Sequence, residues 1–156
     1  MRVSICCVGR LRQGPEHDLI TDYLTRFDRT GRALGLTLGD VIEVEDKKNQ
    51  GMKAEGDLLR RALPKSAMIW ALDERGETLS SPEFATGLGQ VRDQGTSDLA
   101  LIIGGADGIE PNLRGEAARR ISFGRMVWPH MLVRVMLSEQ LYRAASILAG
   151  APYHRV

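Results

Sequence analysis

The stretch LIIGGADGIEP, residues 101–111, decides how the rest of the chain is interpreted. An apolar run ends at two glycines, and Gly108 follows three positions later. Glycines after a strand are typical of places where the backbone passes another group closely, because they have no Cβ. No Gly-Lys-[Ser/Thr] ending follows, so this is not a P-loop, and the spacing G-G-x-x-G is not a dinucleotide fingerprint. The stretch is either a purely structural turn or a ligand-binding turn of another kind.

Outward from this turn, short apolar runs alternate with segments of helical spacing. Strands are predicted over residues 3–8, 38–44, 67–73, 98–105 and 121–123. Helices are predicted over 16–29, 56–63, 82–95 after Ser81 as N-cap, 111–119 and 131–149, with a mobile loop before the second helix. Apolar strands separated by helices are typical of a parallel sheet covered on both faces. The pattern predicts one α/β domain over residues 1–156.

The composition is that of an ordinary globular protein. Of 156 residues, 43% are hydrophobic and 26% are charged, and a chain of this length can bury one sizeable core. No apolar run approaches the roughly 20 residues that span a bilayer, and the opening residues do not resemble a secretory signal. We therefore expect a cytoplasmic protein with no membrane partner.

The cysteines and histidines predict neither a disulfide nor a metal site. Cys6 and Cys7 are adjacent in a predicted strand, where neighbouring side chains point to opposite faces, so we expect two buried thiols. His17, His130 and His154 show no ligand spacing with each other or with the cysteines. No metal is expected.

The charge is unevenly distributed along the chain. Residues 112–156 contain seven arginines, no lysine and two glutamates, whereas residues 1–111 carry an acidic excess. Arginine suits planar contact with phosphate and stacks on bases. A solvated helix face with scattered ion pairs is the alternative. Among partners, the pattern favours a nucleic acid.

The segment FGRMVWPHMLVRVMLSEQLYRAASILAG, residues 123–150, predicts a glycine-containing loop and then a helix that is apolar on more than one face. Such a helix must be covered on both sides. We expect the sheet on one side and a second copy of the chain on the other, in a two-fold homodimer. The tail APYHRV then leaves at the edge of that interface, from where it could reach the partner's ligand pocket.

Four motifs together carry a resemblance to a known family: LD..G (72–76), LIIGGADG (101–108), WPHMLVRVMLSEQLYRA (128–144) and PYHR (152–155). They resemble the RlmH family of the SPOUT class, bacterial 23S rRNA (pseudouridine-N3)-methyltransferases, and the likeness extends over essentially the whole chain. The resemblance implies a SPOUT fold with a C-terminal trefoil knot, a homodimer, and S-adenosylmethionine as methyl donor. It also implies a substrate, the pseudouridine at position 1915 in helix 69 of 23S rRNA on the assembled ribosome, and no DNA partner.

The resemblance also implies which residues bind the donor. The cofactor-binding positions carried over onto this sequence are Leu72, Gly104, Phe123, Gly124, Arg125, Met126, Val127 and Trp128. We expect the glycines to admit the adenosyl group, so that Gly104→Val would fill its space and leave the fold intact.

Transfer to N3 requires that a proton leave the ring, so the site should offer a base or stabilise negative charge. The catalytic candidates are His154 for proton removal, Arg134 for phosphate or developing charge, and Tyr153 for base stacking. His130 and Arg155 are predicted to contact the substrate, although His130 could equally be a helix-start residue. We expect Glu139 to pair with Arg143 or Arg134 rather than act as a base.

Two other functions stay open from the residues alone. A nucleotide-binding oxidoreductase is disfavoured by the position of the glycines and by the absence of an acidic ribose partner after the first strand. A non-catalytic ribosome-binding protein could use the same arginines. Binding of S-adenosylmethionine would distinguish both from a methyltransferase.

Overall fold

The computed structural model describes residues 1–154 as a five-stranded sheet between two layers of helices. The strands are β1 (Arg2–Val8), β2 (Thr37–Val44), β3 (Met68–Thr78), β4 (Asp98–Ile103) and β5 (Arg119–Ser122). The helices are α1 (Pro15–Gly31), α2 (Met52–Ala62), α3 (Ser81–Asp93), α4 (Pro111–Glu116) and α5 (His130–Leu148), and a 3₁₀ turn, Arg32–Leu34, follows α1. This element order confirms the α/β class predicted from the sequence.

The sheet has the order β2-β1-β4-β3-β5, and every neighbouring pair is parallel. The central strands β1 and β4 are apolar along most of their length because both of their faces are covered. Ile5 lies opposite Leu101 in this pair, and both are buried. The second predicted strand, β2, lies at one edge of the sheet.

Each face of the sheet has its own apolar core. On one face, α1, α3 and α5 pack over strand residues that include Val3, Trp70 and Leu101. On the other face, α2 and α4 bury Leu59 and Leu113 against residues such as Ile102. The buried thiols agree with this division, because Cys7 belongs to the first core and Cys6 to the second.

Polar side chains account for several boundaries that the periodicity placed wrongly. Helix α2 begins at Met52 rather than at 56, and Asp46 organises the preceding loop by accepting backbone N–H groups of Lys48 and Gly51. The N-cap of α3 is Ser80 and not Ser81, since Ser80 and Glu83 form a capping box. Apolar periodicity does not report such local hydrogen bonds.

Strand β3 extends to Thr78, five residues beyond its predicted end, and it passes β5 twice. Ile121 of β5 is the register partner of both Leu72 and Glu77. Between them, a Cβ on Gly76 would lie 2.6 Å from the carbonyl carbon of Arg120, closer than real Cβ contacts come. A glycine is therefore required where β3 passes close to the backbone of β5. The trefoil knot concerns the threading of these loops and stays a prediction.

The helices and the potential metal ligands of residues 1–154 give two further observations. Among the helices of residues 1–154, none is long and apolar enough to cross a membrane. Within the same residues, no group of three or more histidine, cysteine or acidic side chains could hold a metal ion.

Candidate cofactor pocket and C-terminal tail

A pocket of about 360 Å³ lies where the carboxyl ends of β3, β4 and β5 meet. Ligands in parallel α/β sheets bind at this edge, and the volume is in the range of small-molecule sites, roughly 300–1,000 Å³. The lining residues come from the middle of β3, the glycine turn after β4, the end of β5 with the loop that follows it, and the adjoining helices: Met52, Leu72, Asp73, Glu74, Arg75, Gly105, Ala106, Asp107, Gly108, Ile109, Pro111, Arg114, Ile121, Ser122, Phe123, Gly124, Met126, Val127, Trp128 and Val133.

The glycine turn makes its close contacts with the protein itself. A Cβ on Gly104 would lie 2.3 Å from the carbonyl oxygen of Gly108, and one on Gly105 would lie 2.8 Å from a carboxylate oxygen of Glu55. Gly104 does not line the pocket, whereas Gly105 does. The expectation that Gly104→Val would fill the donor's space is therefore wrong. The substitution would instead collide with the backbone of its own turn and push it open.

The loop from 123 to 128 forms the third wall. Ser122 fixes its beginning: the hydroxyl oxygen accepts the N–H of Gly124 at 3.1 Å, and it lies 3.1 Å from the carbonyl oxygen of Glu74. Met126 and Val127 are 72% and 85% exposed, unusual for large apolar side chains at a cavity mouth. The mouth is therefore a surface suited to further apolar or aromatic contact.

Charged groups line the inner side of the pocket. The Asp73 side chain is only 8% exposed, and its Oδ1 accepts the backbone N–H of Arg75 at 3.1 Å. Its Oδ2 has no hydrogen bond and lies 3.5 Å from Nε of Arg114. Glu55, below the glycine turn, has a raised pKa because it is partly buried and faces Asp46 and Asp107. The pocket thus combines carboxylates with guanidinium groups.

Arg134 lies outside this pocket and is buried, with 5% of its side chain exposed. Its Nη1 donates to Glu43 at 2.8 Å, and its Nη2 donates to the carbonyl oxygens of Val8 and Gly9 at 2.7 and 2.6 Å. These bonds tie α5 to the carboxyl ends of β1 and β2. The predicted phosphate contact is not available to Arg134 in this arrangement, because its guanidinium is already engaged and covered.

His130 begins α5, close to Arg134 and to the loop after β1. Its Nε2 would lie 3.6 Å from a Cβ on Gly9. Burial lowers the pKa of His130, and the neighbouring Arg134 lowers it further. The imidazole is therefore kept neutral near pH 7. This position agrees with the helix-start interpretation, while a contact with the substrate stays a prediction.

The tail folds back onto the second half of its own α5. The Tyr153 hydroxyl donates to Glu139 at 3.1 Å, and its ring lies 4.5 Å from that of Tyr142 and under the Arg143 guanidinium. Glu139 also accepts from Arg143 at 2.9 Å, as predicted. Burial and the Glu139 carboxylate raise the pKa of Tyr153 to about 12. Tyr153 is therefore a neutral phenol at physiological pH.

His154 is held by the same cluster. Its Nδ1 lies 3.4 Å from Nη1 of Arg143. Because a guanidinium can only donate, Nδ1 is the accepting nitrogen here and is not free to take a proton from elsewhere. To act as a base, the ring would have to leave Arg143. The fourth predicted tail residue, Arg155, lies outside the described residues.

The tail of a chain does not reach that chain's own pocket. Glu139 and Arg143, which hold the tail, lie six and ten residues beyond Val133, the α5 residue that lines the pocket. At 1.5 Å per residue, the tail cluster is displaced along the helix by roughly 9–15 Å. Neither Tyr153 nor His154 lines the pocket. The two groups of candidate residues are therefore separate in one chain.

The structure brings most of the implied cofactor-binding residues together and adds others. Six of them line the pocket: Leu72, Phe123, Gly124, Met126, Val127 and Trp128. Arg125 and Gly104 do not. The sequence interpretation missed Met52, Asp73 and Arg114. The motif LD..G contained Asp73, whereas nothing in the apolar periodicity marked the other two.

Comparison with known proteins identifies the class that this fold and pocket represent. The family described as "Predicted SPOUT methyltransferase" matches residues 1–154. The chain therefore belongs to the SPOUT methyltransferase family. The crystal structure of TrmJ from Z. mobilis covers 98% of this chain and 71% of its own, with 16% identity and a TM-score of 0.50, so it supports the fold alone.

Closer relatives define the branch of the family. Ribosomal RNA large subunit methyltransferase H of Ruegeria pomeroyi is 71% identical over 156 residues, the full length of both chains. The protein of the same name from Dinoroseobacter shibae is 67% identical over the full length of both. The resemblance to the RlmH family is thereby confirmed.

Proposed function

We propose that this chain transfers the methyl group of S-adenosylmethionine to N3 of a pseudouridine in 23S ribosomal RNA, at position 1915 in helix 69, on the assembled ribosome in the cytoplasm. Full-length identity of 71% to a protein named as a ribosomal RNA large subunit methyltransferase carries the proposal. The match of residues 1–154 to a methyltransferase family supports methyl transfer as the reaction class. The nucleotide and the ribosomal context rest on the family resemblance.

The pocket suits S-adenosylmethionine in shape and charge. The donor supplies a methyl group on a positively charged sulfonium, next to an amino-acid end and an adenosyl group. Three carboxylates, from Asp73, Glu74 and Asp107, line the pocket together with two guanidinium groups, Arg75 and Arg114. This surplus of negative charge is complementary to a ligand with one net positive charge.

The pocket of one chain lacks the tyrosine and the histidine that we predict to act at N3. The lining has carboxylates and guanidinium groups but no histidine or tyrosine within the described residues. The tail has both, Tyr153 and His154, yet holds them on its own α5. We propose that the chain acts as a homodimer in which the tail of one subunit completes the pocket of the other. Tyr153 would then stack on the base and His154 accept the proton.

The exposed apolar residues around the start of α5 support a dimer. Met126, Val127, Trp128 and Leu132 are each at least 39% exposed, and they adjoin both the pocket mouth and the helix. Covering them with a second copy would remove apolar surface from water and place a second tail nearby. The same contact would join the interface to the active site.

The first experiment tests the reaction. Labelled methyl should pass from S-adenosylmethionine to ribosomes that lack the modification, and more slowly to naked 23S rRNA. Calorimetry should detect S-adenosylhomocysteine binding and no NAD binding. Binding of NAD without binding of S-adenosylhomocysteine would favour an oxidoreductase. Donor binding without transfer to any ribosomal substrate would favour a non-catalytic protein.

The second experiment tests the composite site. A chain lacking residues 153–156 should bind S-adenosylhomocysteine with nearly unchanged affinity, while methyl transfer falls by roughly 10³-fold, the scale of losing a positioned acid–base group. Mixing it with a Gly104→Ala chain, whose donor turn is disrupted, should restore activity. With free subunit exchange, about half the dimers are mixed and each has one intact site, so about a quarter of wild-type activity should return. No recovery despite demonstrated exchange would place tail and pocket in the same subunit.

A further inference from the structure

We infer that Arg114, positioned by Asp73, binds the carboxylate at the amino-acid end of the methyl donor. The inference rests on the proposed function, since it takes the pocket to be the S-adenosylmethionine site. It adds a residue and a role that the loops after β3, β4 and β5 do not provide. Arg114 comes from α4, on the opposite side of the sheet from the tail helix α5.

Arg114 has an unusual position for a surface arginine. Its side chain is 26% exposed and lines the inner side of the pocket. Its closest partner is Asp73, with Nε 3.5 Å from Oδ2, too loosely placed for a hydrogen bond. Among residues 1–154, no acceptor forms a hydrogen bond with its guanidinium. An arginine presents five donors in a planar fork, so most of its hydrogen-bonding capacity is left for a ligand.

Asp73 explains why the guanidinium points where it does. The Asp73 side chain is 92% buried, and its Oδ1 is taken by the Arg75 N–H. Its Oδ2 is buried without a hydrogen bond, and a buried carboxylate is costly unless it is paired. Attraction between Oδ2 and Nε therefore holds the Nε side of Arg114 against Asp73. The Nη groups are then free to make bidentate contact with an anion.

The anion is identified by what the pocket and the donor each contain. The other guanidinium of the pocket, Arg75, is 70% exposed and paired with Glu74 at 3.7 Å. S-adenosylmethionine has a single anionic group, the carboxylate of its amino-acid end, and its adenosyl part has none. A carboxylate enclosed in a pocket requires a cationic or hydrogen-bonding partner. Of the two guanidinium groups, Arg114 is the enclosed and uncommitted one.

A comparison of three ligands isolates the contribution of the ligand's carboxylate to the binding affinity. S-adenosylhomocysteine has the carboxylate and the ammonium, its decarboxylated analogue S-adenosyl-thiopropylamine keeps the ammonium alone, and methylthioadenosine has neither. Calorimetry of Arg114→Gln should show a loss of about 10–100-fold for S-adenosylhomocysteine, the size of a charge-assisted hydrogen bond. Affinity for the other two ligands should stay within about twofold. Unchanged affinity for these two ligands would also show that the pocket of the variant is folded.

Two more variants sharpen the result. Asp73→Asn should weaken S-adenosylhomocysteine binding less than Arg114→Gln does, and the double variant should lose less than the sum of the two, because Asp73 acts through Arg114. Arg120→Gln removes the same charge from an exposed position on β5 outside the pocket. It should leave all three affinities unchanged.

Several outcomes would overturn the inference. Equal losses for all three ligands would mean that Arg114 supports the pocket without contacting the carboxylate. Unchanged affinities, with a lower salt dependence of RNA binding, would make Arg114 a phosphate contact instead. If the wild-type chain binds none of the ligands, the inference falls together with the proposed donor. If it binds them and Arg114→Gln does too, the inference alone falls.

Discussion

The two ends of helix α5 are built for different partners. At its start, the pocket wall and the exposed side chains of Met126 and Val127 form an apolar mouth. At its end, Glu139 and Arg143 form a polar cluster that holds Tyr153. Between these two regions, the buried Arg134, about one turn into the helix, fastens it to the strands beneath. The pocket wall and the cluster that holds Tyr153 thus belong to one helix and are displaced along it by roughly 9–15 Å.

Among single substitutions, one that disrupts the pocket end should give the largest effect. Gly104→Ala places a Cβ 2.3 Å from the carbonyl oxygen of Gly108, so the turn must open. We expect at least a tenfold loss of S-adenosylhomocysteine affinity and about a 100-fold loss of methyl transfer, the scale of a 1 Å misplacement. Calorimetry and the methyl-transfer assay measure these. Gly115→Ala, where the added Cβ meets nothing within 4 Å, is the matched control, and equal losses there would dismiss the steric argument.

A substitution at Arg134 should lower the stability of the protein and leave the pocket and the cluster around Tyr153 unchanged. Arg134→Gln removes the charge that pairs with Glu43 and the donors to Val8 and Gly9. Breaking a buried pair from one side should lower the free energy of unfolding by about 3 kcal/mol, measured by urea denaturation. Arg26→Gln, in an exposed pair with Asp22, should leave the free energy of unfolding nearly unchanged, because water screens such a pair. A changed salt slope of RNA binding in a stably folded Arg134→Gln protein would return Arg134 to the phosphate-contacting set.

A substitution in the cluster that holds the tail should change the titration of Tyr153. The carboxylate of Glu139 and partial burial raise the pKa of Tyr153 to about 12. Glu139→Gln removes the charge and should lower that pKa, detectable by ultraviolet absorbance of the ionising phenol against a Tyr153→Phe reference. Donor affinity should not change, because Glu139 does not line the pocket. An unaltered tyrosine titration would mean that the tail does not rest on Glu139 in solution.

The smallest effect should be a pH dependence at the start of α5. Burial and Arg134 lower the pKa of His130 in the folded state. When the pKa of a histidine is lower in the folded state, protonation of the imidazole favours the unfolded state. The contribution of His130 to the free energy of unfolding is therefore full above about pH 6.5 and is lost as the pH falls below it. Thermal unfolding should show a smaller decrease between pH 7.5 and pH 5.5 in His130→Gln than in the wild type. An identical decrease would show that His130 is solvated.

The sequence predicted the sheet better than the pocket. The apolar runs around Ile5 and Leu101 identified the central strands, because strands buried on both faces need apolar side chains throughout. The order of strands in the sheet and the second passage of β3 along β5 depend on contacts between distant segments. The periodicity of apolar residues along the chain carries no information about these contacts.

Within the site, the glycine turn shows where sequence reasoning stops. The sequence marked the turn after β4 as a candidate ligand-binding turn, and Gly105 lines the pocket, yet the space that Gly104 leaves is used by its own turn. Arg114 and Met52 reach the pocket from helices on the far side of the sheet, which residue spacing along one element does not reveal. The tail's attachment to Arg143 likewise depends on how the chain turns after α5.

The double passage of β3 along β5 also bears on the order in which the chain can fold. Ile121 must find Leu72 and Glu77, residues more than 40 positions earlier, and β1 must find β4 nearly 100 positions later. Such distant pairings close large loops and slow folding. The segment around Gly76 must be in place for β5 to pair with both parts of β3. The pocket is lined by residues of both β3 and β5, so its walls are complete only once these two distant segments have paired.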